Sequence, residues 1–297
     1  MHDDKVQRFT FDGLPIRGQW VRLRKVLQDA TEYRTYPDAV HQLLSAQLAA
    51  VTLFADGLKF NGAIALQSQG SGPLIRSLAE CRERHKIRGI AHLRERDADP
   101  GAHLQDWLQN GQLALTLIYP EAQNNPPYQA IIALEHETLA ANLEVYFNRS
   151  EQLPTRMFFA HSEEAVTGLL LQRLPEEEGA TDIELQLHED AWRTALTLVD
   201  TLKLSELAED TPESLLRKLF SEFECRMHPA RQLIYACSCS QEKSDRTLRL
   251  LPREELQAVL DEDGEVNVDC EFCGKRYRYD AFAVAALEAS QADPNLH

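Results

Sequence analysis

Four cysteines near the C-terminal end constrain this chain more than any other feature. They fall in two tight pairs, Cys237-Ser238-Cys239 and Cys270-Glu271-Phe272-Cys273-Gly274, with residues 240–269 between them. Two close pairs joined by a longer stretch can bring four sulfurs to one tetrahedral metal, and zinc prefers that ligand set and geometry. The Cys-x-x-Cys-Gly half reads as a zinc knuckle whose glycine lets the backbone turn tightly around the ion. The Cys-x-Cys half is unusual, because most zinc ribbons use two Cys-x-x-Cys pairs. Thiolates this close are also readily joined by oxidation. The metal is either a structural staple or part of a redox switch, and the spacing leaves both open. Separate free or disulfide-bonded cysteines are a third reading, one that suits secreted chains. Residues 1–20 carry no charged-then-apolar leader pattern, and no apolar run approaches the roughly 20 residues of a membrane span. A cytoplasmic location, where thiols stay reduced, is the expectation. Cys81 and Cys225 lie outside the pattern and read as small buried hydrophobes.

The chain has 297 residues, enough for a sizeable core and more than one domain, and a formal net charge of −16. So acidic a chain repels nucleic acid and anionic membranes, which weakens the usual link between zinc knuckles and nucleic-acid binding. Neither nucleic acid nor membrane is expected as a partner. One basic cluster, Arg82, Arg84, His85, Lys86 and Arg88, reads as a solvated face of alternating charge.

Residues 1–175 read as a mixed, mainly antiparallel α+β domain. Val6–Phe11 and Ile16–Leu23 alternate as strands do. Further strands are expected at Ala63–Gln67, Ile87–Arg94, Leu113–Tyr119, Tyr128–Leu134, Arg156–Phe159 and Gly168–Leu174. Pro37 opens a helical stretch with Val40, Leu43, Leu44, Leu48, Val51 and Phe54 at helical spacing and Gly57 as its stop. A second helix is expected from Thr138 to about Ser150.

The character changes at Pro175-Glu176-Glu177-Glu178-Gly179. Residues 176–224 hold 14 Asp/Glu and 4 Lys/Arg, and residues 176–230 read as an acidic helical linker. Trp192, Leu196, Val199 and Lys203 fall on one helical face, with Leu202 beside them. Thr211-Pro212-Glu213 is a helix start with an N-cap, a proline at the first position and an acid at the positive end of the dipole. Leu215, Leu216, Leu219, Phe220 and Phe223 follow as an apolar stripe. The plain reading is a helix packed on a core. An acidic face backed by large apolar groups also describes a segment that can change partners.

Residues 231–297 form the cysteine-bearing domain. A helix is expected over Pro252–Leu260, ended by Asp261-Glu262-Asp263-Gly264. Val266 and Val268 lead into Cys270, Lys275–Tyr279 alternates with Tyr277 and Tyr279 on one face, and Ala281–Ala289 reads as a last helix. So small a unit with few large apolar side chains needs a staple.

These features together resemble the redox-regulated heat-shock chaperones, bacterial holdases of about this chain's mass, across nearly the whole length. Besides Cys-Ser-Cys-Ser and Cys-Glu-Phe-Cys-Gly, the resemblance rests on Leu58-Lys59-Phe60-Asn61-Gly62, on Ile64-Ala65-Leu66-Gln67 with Gly70-Ser71-Gly72-Pro73, and on Tyr146-Phe147-Asn148-Arg149-Ser150-Glu151-Gln152-Leu153-Pro154-Thr155. Gln241-Glu242-Lys243, where the family often has Arg-Glu-Arg, and Cys225 depart from it. The resemblance implies one zinc per chain on Cys237, Cys239, Cys270 and Cys273 in the reduced form. It further implies Cys237–Cys239 and Cys270–Cys273 disulfides after oxidation, a homodimer when oxidised and active, and ATP-independent binding of unfolding client proteins.

Physical argument supports such a switch. A structural zinc contributes on the order of 10–16 kcal/mol in small peptides, against a net stability of about 5–15 kcal/mol for a whole domain. Local disulfides close only short loops and replace little of that. Losing zinc would unfold the small domain and free the helices beside it. Trp192, Leu196, Val199, Leu215, Leu219 and Phe223 are then the candidate switch or client-binding face. An enzyme is the first rival: Cys270-x-x-Cys273 could be a dithiol centre, but it is not set in a βαβ pattern. The chain also has no phosphate loop, no Gly-x-Ser-x-Gly elbow and no His-Glu-x-x-His site. A zinc module for nucleic acid is the second rival, opposed by the charge.

Overall fold

A computed structural model describes residues 4–57, 62–95, 98–101, 103–120, 126–162, 164–177 and 179–292. Leu58-Lys59-Phe60-Asn61 of the first motif lies outside them. The chain divides into two compact units, Met1–Ala236 and Cys237–His297.

The first unit opens with β1 (Lys5–Phe11), β2 (Ile16–Leu23), α1 (Lys25–Thr31), α2 (Asp38–Gly57), β3 (Ala63–Gln69), β4 (Leu74–Arg82) and β5 (Lys86–Leu93). It continues through α3 (Leu104–Leu108), β6 (Gln112–Ile118), β7 (Tyr128–Ala133), α4 (Leu139–Arg149), β8 (Thr155–His161) and β9 (Val166–Arg173). Three helices follow, α5 (Asp182–Val199), α6 (Leu204–Glu209) and α7 (Pro212–Leu219), then β10 (Cys225–Met227), β11 (Arg231–Gln232) and β12 (Ile234–Tyr235). One sheet has the order β10-β1-β2-β9-β8, with β11 also on β1; the other runs β12-β5-β4-β3-β6-β7. Every pairing is antiparallel except the short β12 on β5.

Helix α2 shares one core with residues of both sheets. The sequence pattern marks one stripe, yet every residue from Leu44 to Asp56 is buried. A helix covered on all sides must find partners for its polar groups. Gln47 accepts from the Ser77 hydroxyl at 2.7 Å, Thr52 donates to the Leu48 carbonyl at 2.7 Å, and the Asp56 carboxylate accepts from Gln19 at 3.1 Å. Arg8 and Arg231 flank Asp56 at 3.2 and 3.3 Å.

Strand β4 was not legible in the sequence, although it sits between β3 and β5. Arg76, Glu80 and Arg82 interrupt its apolar alternation. Glu80 is buried nevertheless, because Arg82 and Arg88 reach it at 2.9 and 3.0 Å. The basic cluster is therefore partly neutralised, and Glu83 and Arg84 within it form the β4–β5 turn at φ of 51° and 63°. Gly70 ends β3 in a close approach: a Cβ there would lie 1.8 Å from the Leu108 carbonyl oxygen.

The acidic segment packs on the outer face of the first sheet. Thr181 and Thr211 accept from the backbone N–H groups of Glu184 and Ser214, so both α5 and α7 start on side-chain caps, with Pro212 in the first turn of α7. Trp192, Ala195, Val199, Leu202, Leu207, Leu215, Leu216, Leu219 and Phe220 join Phe9, Phe11, Ile16, Trp20, Leu169 and Leu171 in a second core. The expected stripe through Lys203 is broken: α5 ends at Val199, and Lys203 opens the separate α6. Phe223 lies beyond α7 and meets the Phe11 ring edge-on at 5.1 Å. Three arginines of the sheet hold the layer. Arg22 donates to the carbonyls of Ala208 and Asp210 at 2.6 and 3.1 Å, Arg156 meets Asp200 at 2.8 Å, and Arg173 pairs with Glu176 at 2.7 Å and with Glu189.

The second unit comprises α8 (Gln241–Leu248), α9 (Arg253–Asp263), the hairpin β13 (Val266–Asp269) and β14 (Arg276–Tyr279), and α10 (Ala281–Ala292). Gly264 stops α9 in the left-handed region at φ 79°. Among the described residues its buried core is Leu248, Leu256, Val266, Tyr277, Tyr279 and Val284.

Candidate metal centre

The two cysteine pairs arrive by different local devices. Cys270 follows β13 and Cys273 precedes β14, so the knuckle is the turn of that hairpin. The Gly274 N–H donates to the Cys270 carbonyl at 2.8 Å and the Cys270 N–H to the Lys275 carbonyl at 2.9 Å, with Gly274 at φ 65°. Only glycine adopts that conformation without strain, as the sequence pattern implies. Cys237 and Cys239 precede α8. Ser240 caps that helix by accepting from the Lys243 N–H at 3.2 Å, and the Lys243 ammonium donates to the Ser238 carbonyl at 2.7 Å. Lys243, noted above as a departure from the family pattern, thus fixes the peptide between the first two sulfurs.

All four sulfurs lie within 4.8 Å of one another. The shortest separations cross between the pairs, Cys237 to Cys270 and Cys239 to Cys273, both 3.5 Å. A tetrahedral zinc with Zn–S near 2.3 Å requires sulfur–sulfur edges of about 3.8 Å. The cluster fits that cage with a small expansion, and no pair is bonded as a disulfide.

The environment divides the thiols. Burial pushes Cys237 and Cys273 up. Burial also opposes ionisation of Cys239, but hydrogen bonding from Tyr277 and the neighbouring thiols outweighs it and brings Cys239 down to about 7. A bound dication would draw all four to thiolates. The remaining cysteines are different. Burial pushes Cys81 up to about 12 and Cys225 up to about 11, and both stand in the first unit, outside the cluster. Tyr277 and Lys243 are the site residues that the sequence pattern did not single out. Alternation placed Tyr277 beside Tyr279 on a strand face without indicating a sulfur neighbour.

The six residues of the expected switch face do come together, in the first unit. Trp192, Val199, Leu215 and Leu219 are buried in the second core, and Leu196 and Phe223 pack at its margin. What they cover is the face of β1, β2 and β9 carrying Phe9, Phe11, Trp20 and Leu169. No helix among the described residues is long and apolar enough to cross a membrane.

The family model described as Hsp33 protein matches residues 4–280. A 33 kDa chaperonin of Cronobacter sakazakii is 36% identical over 300 residues, covering 99% of each chain. One of Pseudomonas paraeruginosa is 37% identical over 289 residues, covering 97% of this chain and 95% of the relative. The crystal structure of the 33 kDa chaperonin (heat shock protein 33 homolog) of Thermotoga maritima superposes with a TM-score of 0.79 at 20% identity, covering 99% of this chain and all of that one, which shows a shared fold. With the mixed α+β architecture and the C-terminal cysteine cluster, these matches establish that the chain belongs to the Hsp33 family and is a chaperone rather than an enzyme.

Proposed function

We propose that the protein is a redox-regulated, ATP-independent holdase of the cytoplasm. The reduced form binds one zinc through Cys237, Cys239, Cys270 and Cys273 and is inactive. The observation that carries this reading is the convergence of four reduced sulfurs inside a small unit whose buried core, among the described residues, is six side chains. Zinc supplies the cross-link that such a unit lacks, and holds the thiolates ready for oxidant.

Oxidation forms the Cys237–Cys239 and Cys270–Cys273 disulfides and expels the ion. Each is local, so the lost staple is not replaced. Residues 231–297 act as the redox domain, 176–230 as the switch segment and 1–175 as the stable core. When the switch segment lifts, two apolar surfaces open at once: the Trp192/Leu196/Val199 and Leu215/Leu219/Phe223 stripes, and the sheet face of Phe9, Phe11, Trp20 and Leu169 beneath them. Unfolding clients bind there, and the active form is a homodimer. The net charge of −16 keeps the opened protein dispersed and leaves nucleic acid and membranes aside.

Light scattering from an unfolding client, with zinc-reduced and oxidised protein in parallel and no nucleotide, tests the reading. Suppression by the oxidised form alone supports it. Equal suppression by both forms, or a reproducible requirement for ATP, contradicts it.

A further inference from the structure

The chain between α7 and Cys237 is divided between the two cores of the first unit. Cys225 and Met227 of β10 pack against the second core with α5–α7, whereas Leu233 is buried in the first core and Tyr235 packs against it. The division falls at His228. Its N–H donates to the Arg8 carbonyl at 2.9 Å, its carbonyl accepts from the Gln7 side chain, and a ring nitrogen lies 3.1 Å from the Thr10 hydroxyl. Beyond it the Leu233 N–H donates to the Asp4 carbonyl at 3.0 Å, and those of Ile234 and Ala236 donate to the His85 and Ile87 carbonyls, both at 2.9 Å. Before it, β10 is only three residues long. Phe9 faces Met227, Thr10 faces Arg226 and Phe11 faces Cys225, and the Asp12 N–H donates to the Glu224 carbonyl at 2.9 Å. Bonds of an antiparallel pair fall on alternate residues, so the main chain of Thr10, between Arg8 and Asp12, also points at β10.

We propose that β10 lifts with α5–α7, and that the edge of β1 it uncovers captures an extended segment of an unfolding client as an added antiparallel strand. The inference rests on the opening of the helical layer proposed above. Lifting leaves the N–H groups of Thr10 and Asp12 and the carbonyl of Thr10 unpaired, directly beside the Phe9 and Phe11 side chains. An open sheet edge is a template for another strand. In the closed form β10 is the occupant, and it shows what fits: an extended chain that sets Cys225 and Met227 against the aromatic core and leaves Arg226 between them exposed. Main-chain bonds do not read sequence, so the edge takes any unfolded chain that offers alternate apolar side chains. A native protein, whose main chain is already paired, offers nothing to it. The His228 contacts stop the peeling there, so β11 and β12 stay on the scaffold with the first core.

Site-resolved hydrogen exchange on the full chain tests this in three states: zinc-reduced, oxidised, and oxidised with reduced, carboxymethylated lactalbumin as a permanently unfolded client. The Thr10 and Asp12 amides should exchange slowly, then fast, then slowly again, while those of Leu233 and Ile234 stay slow throughout. Thr10 and Asp12 amides that remain fast with client bound would overturn the inference and leave the aromatic face alone as the client site. Amides that stay slow after oxidation without client, while α5–α7 exchange, would overturn it too, since β10 or a second copy of the chain would then hold the edge. An oxidised form that binds no client would overturn the reading beneath the inference, and the inference with it. Thr10→Pro removes one edge donor and keeps Phe9 and Phe11, and an edge strand accepts proline where its N–H faces outward. In the oxidised form it should weaken client binding about fivefold, the loss of one main-chain hydrogen bond. Unchanged binding would contradict capture through the main chain. If that variant does not fold, the exchange pattern of the wild type decides.

Discussion

The two units solve the same stability problem in opposite ways. The first wraps two sheets around a helix buried from Leu44 to Asp56 and adds a second core beneath α5–α7. The second, among the described residues, holds six buried core residues and a cage of four sulfurs. A hydrophobic core loses stability gradually as side chains are trimmed. A metal cross-link is lost all at once, and chemistry can remove it. The difference is what the proposed switch requires: a permanent scaffold and a smaller part that a signal can discard.

The largest effect that would break this contrast is metal removal. Cys270→Ser with Cys273→Ser, or a strong chelator on the reduced protein, should abolish cooperative folding of residues 237–297 while the first unit keeps its far-ultraviolet signal. A second unit that still melts cooperatively without zinc would show that its core suffices. The pH dependence follows from the thiols. Burial holds Cys237 and Cys273 protonated above the ordinary thiol range, so zinc must displace their protons. Zinc affinity should therefore fall as pH falls, which a competition titration would measure.

Next in size is a cavity beneath the helical layer. Phe220 is 1% exposed and meets Phe11 edge-on at 5.0 Å. Phe220→Ala should cost about 3–5 kcal/mol of the layer's packing. It should raise apolar-dye binding and client capture while zinc is still bound. A variant with unchanged dye binding would argue that the layer does not open as a body. Thr211→Ala removes the cap of α7 and should cost about 1 kcal/mol, seen as faster hydrogen exchange in α7 with little change in α2. Smallest is Asp200→Ala, which removes only the exposed pair with Arg156. The two side chains are 50% and 39% exposed, so the loss should be about 0.2–1 kcal/mol and should shrink with added salt.

Much of the scaffold was legible because strands with one apolar face announce themselves by alternation, as Val6–Phe11 and Ile16–Leu23 do. The start of α7 was legible because Thr211-Pro212-Glu213 carries cap, proline and acid together. β4 was hidden because its charges are paired across the sheet, Glu80 with Arg82 and Arg88, a compensation no local pattern displays. The break between α5 and α6 was hidden because Lys203 sits in phase with Trp192, Leu196 and Val199 while opening a new helix. The four cysteines could be read from spacing alone, since knuckle and Cys-x-Cys signals are local. The sequence also did not say what α5–α7 cover, because the aromatic face of β1 and β2 lies more than 150 residues earlier.

The most direct test of the central claim is segment-resolved hydrogen exchange on zinc-reduced and peroxide-oxidised protein, with dye binding measured in the same samples. Expulsion of zinc should bring fast exchange across residues 237–292 and α5–α7, while α2 and the strands around it stay protected and dye binding rises. Zinc expelled with α5–α7 and the second unit still protected would contradict the switch and leave the metal as a structural staple.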